Sequence, residues 1–445
     1  MLSLLKLLGS TSFAQILLIA ISPILTRIYT PDVFGEFLII SSWSYIINAF
    51  ALGRMDIAIL TSKSNQEIIP PFNLGLLFLL CVTLLSIVTI TTTYTFFNIN
   101  SFYFLIPIAV FSSSIYQLLI ALLLTKQNLT LIAKNKVKQS MTLAIGQLSI
   151  GTISPTTYSL SLAQAISFFI TSLFTISIWK PYLHKINPFP LFQKYKNYII
   201  YDNISNFFQV ISNNLPPILI TYILGGYIGG LYYMAYRVLI TPVSIFSVSI
   251  SQYIGSSFHN GQQDLNIWNN KNNYLLQMML FVFSVPFILI SNYIEPIFPI
   301  VFGPDWNDTS ALIQCFTSWI FLRLIYDSFT ITLSLKQKSK IKMYMDIFIF
   351  VFTLTNILTL WKMGFNGIDF LKYFSYVHTI GFLIIFCALN YFSNFEFTKN
   401  SLLAIICTLS IIFYPSVSST YISILLIIIF LGFIAIFYKT RKRAF

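Results

Sequence analysis

Three arginines, Arg54, Arg237 and Arg323, lie inside long apolar stretches of this 445-residue sequence. A charged side chain at the centre of a bilayer costs about 2.5–3.5 kcal/mol by insertion scales, so it is normally retained only where it faces a polar cavity or a partner. The arginine guanidinium is planar and presents paired donors to two oxygens of an anion. These residues therefore predict the binding of an anionic group within a membrane.

Arg237 carries this prediction furthest. No acidic residue stands three or four positions from it, so a local helical ion pair is excluded. It precedes Pro242 by five residues, and a proline inside a helix kinks it and opens the hydrogen-bond ladder. We expect Arg237 to face a ligand at such an opening.

The other two arginines have acidic residues close in sequence. Arg323 and Asp327 are four residues apart, which favours an ion pair within one helix, with ion coupling as the alternative role. Arg54 and Asp56 are two residues apart, so a continuous helix would point them to different faces and they would not neutralise each other. Arg54 is then either a cavity ligand or an interface anchor, and Asp56 is a candidate for ion coupling.

The elements that position these residues are membrane-spanning helices. The sequence is 56% apolar and only 9% charged, with a mean hydropathy of +0.79, whereas soluble domains carry about a quarter charged residues. Stretches of about 20 apolar residues, enough to cross a bilayer, recur from end to end. We predict an all-α polytopic membrane protein with fourteen spans at 7–29, 37–60, 70–95, 102–125, 141–156, 158–179, 204–224, 230–256, 274–298, 311–335, 343–361, 367–390, 401–414 and 419–438. Span five is short and Gly-rich, so it is either a broken or protein-buried helix or a lipid-facing one.

The basic residues fall in every second loop between these spans. One set of loops and termini holds twenty Lys and Arg residues, and the opposite set holds only Arg27 and Lys362. Because Lys and Arg stay on the cytoplasmic side, both termini are predicted to be cytoplasmic in a bacterial inner membrane. The net charge of +13 is spread over these loops and does not form one face, so no nucleic-acid partner is expected. The cysteines lack metal-ligand spacing and the sequence lacks a phosphate-binding Gly-rich loop, so we expect no metal, cofactor or built-in ATP motor.

An internal repeat relates the first span to the seventh at an offset of 194 residues. The segments FAQILLIAISPILTRIYTPDVFG and FFQVISNNLPPILITYILGGYIG share six identities, including Pro23 with Pro217 and Gly35 with Gly229. Six spans separate the copies, so both have the same orientation. The sequence therefore predicts two parallel lobes.

Four segments together resemble one family. Their order and spacing are similar to those of the O-antigen and capsule-unit flippases of the polysaccharide transporter family. The segments are SPILTRIYTPDVFGEF, GRMDIAIL, the run from LPPILITYILGGYIGG to SISQYI, and VFGPDWNDTS. That family belongs to the multidrug, oligosaccharidyl-lipid and polysaccharide exporter superfamily. The resemblance covers most of residues 1–320 and extends beyond about 330 by topology alone.

This resemblance implies a fold and a function. The fold would have a six-helix lobe over 1–190, a second over 191–395, a V-shaped central cavity between them, and two extra helices with a basic tail over 396–445. The implied function is movement of an undecaprenyl-diphosphate-linked oligosaccharide from the cytoplasmic to the outer leaflet by alternating access. Arg27 and Arg237 match arginines of related lipid II flippases, and Arg54 lies near the arginine that follows their second span, so the resemblance implies that the three bind the diphosphate. A polysaccharide polymerase and a chain-length regulator are the implied protein partners.

Two alternatives remain at this point. A multidrug exporter of the same superfamily would prefer cationic substrates and would therefore carry acidic residues in its spans. Here the basic residues within the predicted spans are at least as numerous as the acidic ones. A membrane-embedded polysaccharide polymerase or ligase would carry a large external loop with catalytic residues, and the longest predicted external loop is under roughly 20 residues. We therefore expect a transporter rather than an enzyme.

Overall fold

A computed structural model of the chain describes residues 2–62, 64–126, 128–196, 198–260, 265–336 and 338–393. Within these ranges the structure is helical, with no β-strand. The chain divides after Tyr233 into two compact units. The predicted spans 401–414 and 419–438, and the whole of the predicted region 396–445, lie outside the described residues. The predicted lobe boundary after residue 190 stays a prediction.

The first unit contains seven long helices and three short ones. Their bounds are α1 Leu2–Ile28, α2 Pro31–Ala51, α3 Met55–Leu60, α4 Asn65–Phe97, α5 Leu105–Thr125, α6 Leu129–Ile153, α7 Thr157–Leu173, α8 Ile176–Trp179, α9 Pro188–Lys194 and α10 Asn203–Leu224. Helix α1 packs against α6, α6 against α7, and α5 against α2, α4 and α7. Helix α10 packs along α2 and so belongs to the first unit.

The second unit begins within the next helix. Its helices are α11 Gly226–Asn260, which starts in the first unit, α12 Leu265–Phe302, α13 Asn307–Phe329, α14 Ile331–Leu335, α15 Ser339–Lys362 and α16 Gly367–Ser393. Helix α13 is the most buried of these and packs between α12 and α16, while α15 packs on α16. Each of the first twelve predicted spans overlaps one of the long helices of the two units.

Nine helices among the described residues are long and apolar enough to cross a bilayer. The chain is therefore a multi-pass membrane protein. Helix α6 is not among the nine, because its first half carries Lys134, Lys136 and Lys138. It is nevertheless unbroken through predicted span five, and Gln147 and Gly151 lie on its buried face.

Local sequence signals fix where several helices begin. Pro31 takes the first position of α2, where its missing N–H costs no hydrogen bond. The Ser64 side chain accepts a hydrogen bond from the Glu67 backbone N–H at the start of α4. Thr156 and Ser159 form a reciprocal capping box at the start of α7.

The α10–α11 turn contacts the start of α2 through backbone atoms. Gly225 makes this turn with a φ of 91°, a conformation that other residues rarely adopt. A Cβ added to Gly35 would lie 2.0 Å from the carbonyl oxygen of Gly226, and one added to Gly230 would lie 1.8 Å from the carbonyl oxygen of Pro31. Only glycine fits at these two contacts.

Two lysines between α14 and α15 donate hydrogen bonds to the last described turn of α16. Lys336 Nζ donates to the carbonyl oxygen of Ser393 at 2.5 Å, and Lys338 Nζ donates to that of Phe392 at 2.7 Å. Lys336 also lies over the ring of the buried Trp268, 5.5 Å from its centroid, which connects α12 to the same lysine.

Candidate functional site

The second predicted span is broken by a turn at Gly53 and Arg54. A single helix over 37–60 was expected, but α2 ends at Ala51 and α3 begins at Met55. Gly53 has a φ of 54°, and Arg54 follows in the left-handed region at φ 60°, ψ 24°. For a residue with a side chain this conformation costs roughly 1–2 kcal/mol. Strain of this kind concentrates at functional positions, so Arg54 is a candidate functional residue.

The turn brings Arg54 and Asp56 together. Arg54 Nη1 lies 3.7 Å from Asp56 Oδ2, so the expectation that the two residues point to different faces is wrong. The reason is that the helical spacing rule does not apply to Arg54, because its backbone is not helical. Arg54 therefore carries its charge beside a carboxylate at the end of a membrane helix.

This ion pair is mostly buried and incompletely hydrogen-bonded. The side chains of Arg54 and Asp56 are 22% and 11% exposed. Gln117 Nε2 on α5 donates to Asp56 Oδ2 at 3.3 Å. The Nε of Arg54 is buried and has no hydrogen-bond acceptor within the described ranges. A buried charged donor without an acceptor is costly, so the guanidinium keeps an N–H group that can donate to an anion.

Further polar side chains along α2 contact α5 and α7. The contacts are Asn48 Nδ2 to Ser113 Oγ at 3.2 Å, Ser114 Oγ to Asn48 Oδ1 at 2.5 Å, Ser41 Oγ to Gln164 Oε1 at 3.3 Å, and a hydrogen bond from Thr157 to the Glu36 carboxylate. None of these polar residues was predicted from the sequence as part of a site. The spacing of seven residues between Ser41 and Asn48 was the available signal, because it places both polar groups on one face of α2.

Arg27 and Arg54 do not meet. Arg27 lies in the last turn of α1, exposed, four residues before α2 begins, and its charge stabilises that helix end. Arg54 follows the other end of α2, whose 21 residues span about 30 Å. One diphosphate cannot contact both residues at the same time in this structure.

Arg237 lies in the second unit, well inside α11 and partly buried. Its carbonyl oxygen accepts a hydrogen bond from Thr241 Oγ1 at 2.7 Å, next to Pro242. Pro242 lacks the N–H that would bond to the Val238 carbonyl, so the helix loses one hydrogen bond directly after Thr241. The predicted proline-containing helix around Arg237 is therefore present, and its ligand role stays a prediction.

Arg323 and Asp327 form the ion pair that their spacing indicated. Arg323 Nε lies 3.4 Å from Asp327 Oδ2 on α13. The guanidinium also lies 5.8 Å from the centroid of the Tyr236 ring. One residue before Asp327, Tyr326 donates to Asp346 Oδ1 on α15 at 2.5 Å. These contacts form a partly buried polar cluster within the second unit. No group of three His, Cys, Asp or Glu side chains in the described part of the chain could hold a metal ion.

A family model described as polysaccharide biosynthesis protein matches residues 24–311, the part of the chain that contains α2, the Arg54 turn and Arg237. The chain belongs to this family. No curated protein sequence matches this polysaccharide biosynthesis protein.

The fold of this family member is that of known membrane transporters. A structure of the lipid II flippase MurJ in an inward closed conformation covers 97% of this chain and 98% of its own, with a TM-score of 0.71 at 16% identity. An inward-facing multidrug resistance transporter of the MATE family and MOP superfamily covers 88% and 96%, with a TM-score of 0.61 at 11% identity. A MOP superfamily transporter from Pyrococcus furiosus, described by a reversed polarity of its binding pocket, covers 92% and 96%, with a TM-score of 0.53 at 12% identity.

Proposed function

We propose that this polysaccharide biosynthesis protein moves an undecaprenyl-diphosphate-linked oligosaccharide, such as an O-antigen repeat unit, from the cytoplasmic to the outer leaflet of the bacterial inner membrane. The observation that carries the proposal is Arg54, whose buried Nε lacks an acceptor among the described residues. A diphosphate has both the charge and the paired oxygens that a guanidinium binds. The fold of a lipid flippase and the family description support the same conclusion.

The positions of the arginines suggest an order of events. With the orientation predicted from the basic loops, Arg54 would meet the diphosphate on the cytoplasmic side and Arg27 on the outer side. Arg237 would be a further ligand of the diphosphate. A membrane potential that is negative inside favours outward movement of the diphosphate by about 2.3 kcal/mol per charge per 100 mV. No bond forms or breaks, so the protein would act as a transporter that feeds a polymerase and a chain-length regulator.

Deleting the gene and locating the lipid-linked sugar tests this function. A sugar-directed probe is applied to spheroplasts before and after permeabilisation. Accumulation of the sugar that is detected only after permeabilisation supports a flipping defect. If the lipid-linked unit is detected outside intact spheroplasts but is not polymerised, the proposal fails and a polymerase or ligase function replaces it.

The structural similarity to multidrug transporters favours one further candidate, export of cationic drugs. That function predicts increased drug resistance on overexpression, with no change in surface polysaccharide after deletion. The flippase proposal predicts no increase in drug resistance on overexpression and a loss of surface polysaccharide after deletion. The overexpression strain and the deletion strain together therefore distinguish the two functions.

A further inference from the structure

The contact between Arg54 and Asp56 is longer than a strong charged hydrogen bond. Charge-assisted N–H···O bonds measure about 2.7–2.9 Å, whereas Arg54 Nη1 and Asp56 Oδ2 are 3.7 Å apart. The carboxylate therefore compensates the charge of Arg54 without saturating its donors. The buried Nε remains without an acceptor in the described part of the structure.

Asp56 has a second partner on the same oxygen. Gln117 Nε2 donates to Asp56 Oδ2, the oxygen that faces Arg54. An 11%-exposed carboxylate with no donor would be costly, and Gln117 provides a donor that does not depend on Arg54. The guanidinium can therefore turn away while Asp56 keeps a hydrogen bond.

The backbone around the pair limits movement to the side chain. Gly53 contacts the Phe78 ring so closely that an added Cβ would lie 2.9 Å from it, and Met55 is fully buried. The left-handed conformation of Arg54 is held between these two residues. Any change of partner at this turn therefore requires rotation of the Arg54 side chain and no change of its backbone.

We propose that Asp56 is a built-in counter-ion that holds Arg54 in the empty protein, yields it to the substrate diphosphate, and speeds release by competing for it again. This inference rests on the proposed flippase function. Asp56 acts here as a positioning residue, because it touches Arg54 and not the substrate. Gln117 sets how readily Asp56 gives up its arginine.

Binding of undecaprenyl diphosphate without sugar to the full-length protein in detergent tests this inference. Asp56→Asn keeps the shape and the hydrogen bond from Gln117 but removes the competing charge. It is expected to lower the dissociation constant about tenfold, which corresponds to about 1.4 kcal/mol, and to slow export in cells. Gln117→Leu leaves Asp56 more dependent on Arg54, so it is expected to raise the dissociation constant.

Two further variants isolate the pair. The double variant Arg54→Gln, Asp56→Asn is expected to have the same dissociation constant as Arg54→Gln alone, because the effect of Asp56 requires Arg54. Asp369→Asn is the matched control, since its carboxylate is 73% exposed and lies 3.8 Å from Lys372 in the second unit.

The outcomes separate this inference from the function on which it rests. If the wild-type protein binds undecaprenyl diphosphate but folded Asp56→Asn does not bind it more tightly, the counter-ion role is wrong and the flippase function stands. If Asp56→Asn does not fold, Gln117→Leu decides, and an unchanged dissociation constant overturns the inference. If no variant and no wild-type protein binds the lipid, the proposed function itself fails.

Discussion

Gly230 of α11 and Pro31 of α2 meet backbone to backbone, and a Cβ on Gly230 would lie 1.8 Å from the Pro31 carbonyl oxygen. Gly230→Ala must therefore push the two helices apart, at a cost of about 1–3 kcal/mol. We expect a lower midpoint of thermal unfolding in detergent and reduced export. Gly255→Ala in the same helix is the control, because its Cβ would meet Ile331 Cδ1 at an ordinary 3.5 Å. Equal stability of both variants would contradict the close contact.

Charge reversal tests the arginines as ligands. Arg54→Glu and Arg237→Glu are each expected to abolish export while the protein remains in the membrane, because a carboxylate repels the diphosphate that the guanidinium is proposed to bind. Export is measured with the spheroplast assay, and membrane content by immunoblot. Lys362→Glu, at an exposed position in the last turn of α15, is expected to retain export. Normal export by Arg237→Glu would remove that residue from the site.

The partly buried Lys336 makes stability depend on pH. Partial burial, together with the charge of Lys338, lowers the pKa of Lys336 from 10.5 to about 8. The folded protein therefore releases this proton at a lower pH than the unfolded chain, and the free energy of unfolding rises between about pH 8 and pH 10.5. Unfolding midpoints from pH 7 to 9.5 should rise more for wild type than for Lys336→Met. Lys340→Met, at an exposed position, should follow the wild-type curve.

A buried tyrosine connects α1 to α6 and α7. Tyr29, only 2% exposed, donates to the Gln147 carbonyl oxygen at 2.8 Å and accepts from Ser159 Oγ at 3.0 Å. Tyr29→Phe removes both hydrogen bonds, while Ser159 can still donate to the Thr156 carbonyl oxygen, so we expect a loss of about 0.5–1.5 kcal/mol and a lower unfolding midpoint. Tyr94→Phe, at a position that is 40% exposed, should change the midpoint little. An unchanged midpoint for Tyr29→Phe would show that water replaces the hydroxyl.

The long helices could be predicted from sequence because the bilayer sets their length and composition. Twenty apolar residues have few alternatives in a membrane, so α4, α5, α12 and α13 follow directly from hydropathy. The Arg323–Asp327 pair was also predictable, because both residues lie within one regular helix and the helical repeat fixes their spacing.

The Arg54 turn could not be predicted in the same way. The apolar stretch extends on both sides of Gly53 and Arg54, so hydropathy predicts one continuous helix. The residue types do not indicate that Arg54 has a positive φ. The contact between Asp56 and Gln117 joins positions 61 residues apart and depends on which faces of α3 and α5 pack together. Sequence identified the arginine, but the packing of other helices determines its surroundings.

The length of α2 has a consequence for the timing of transport. Its 21 residues place Arg54 and Arg27 about one hydrocarbon thickness apart, so one head group meets them as two successive events. A fluorescent reporter beside Arg54 would record the arrival of the head group, and one beside Arg27 would record its departure. The lag between the two signals would measure the duration of the crossing itself.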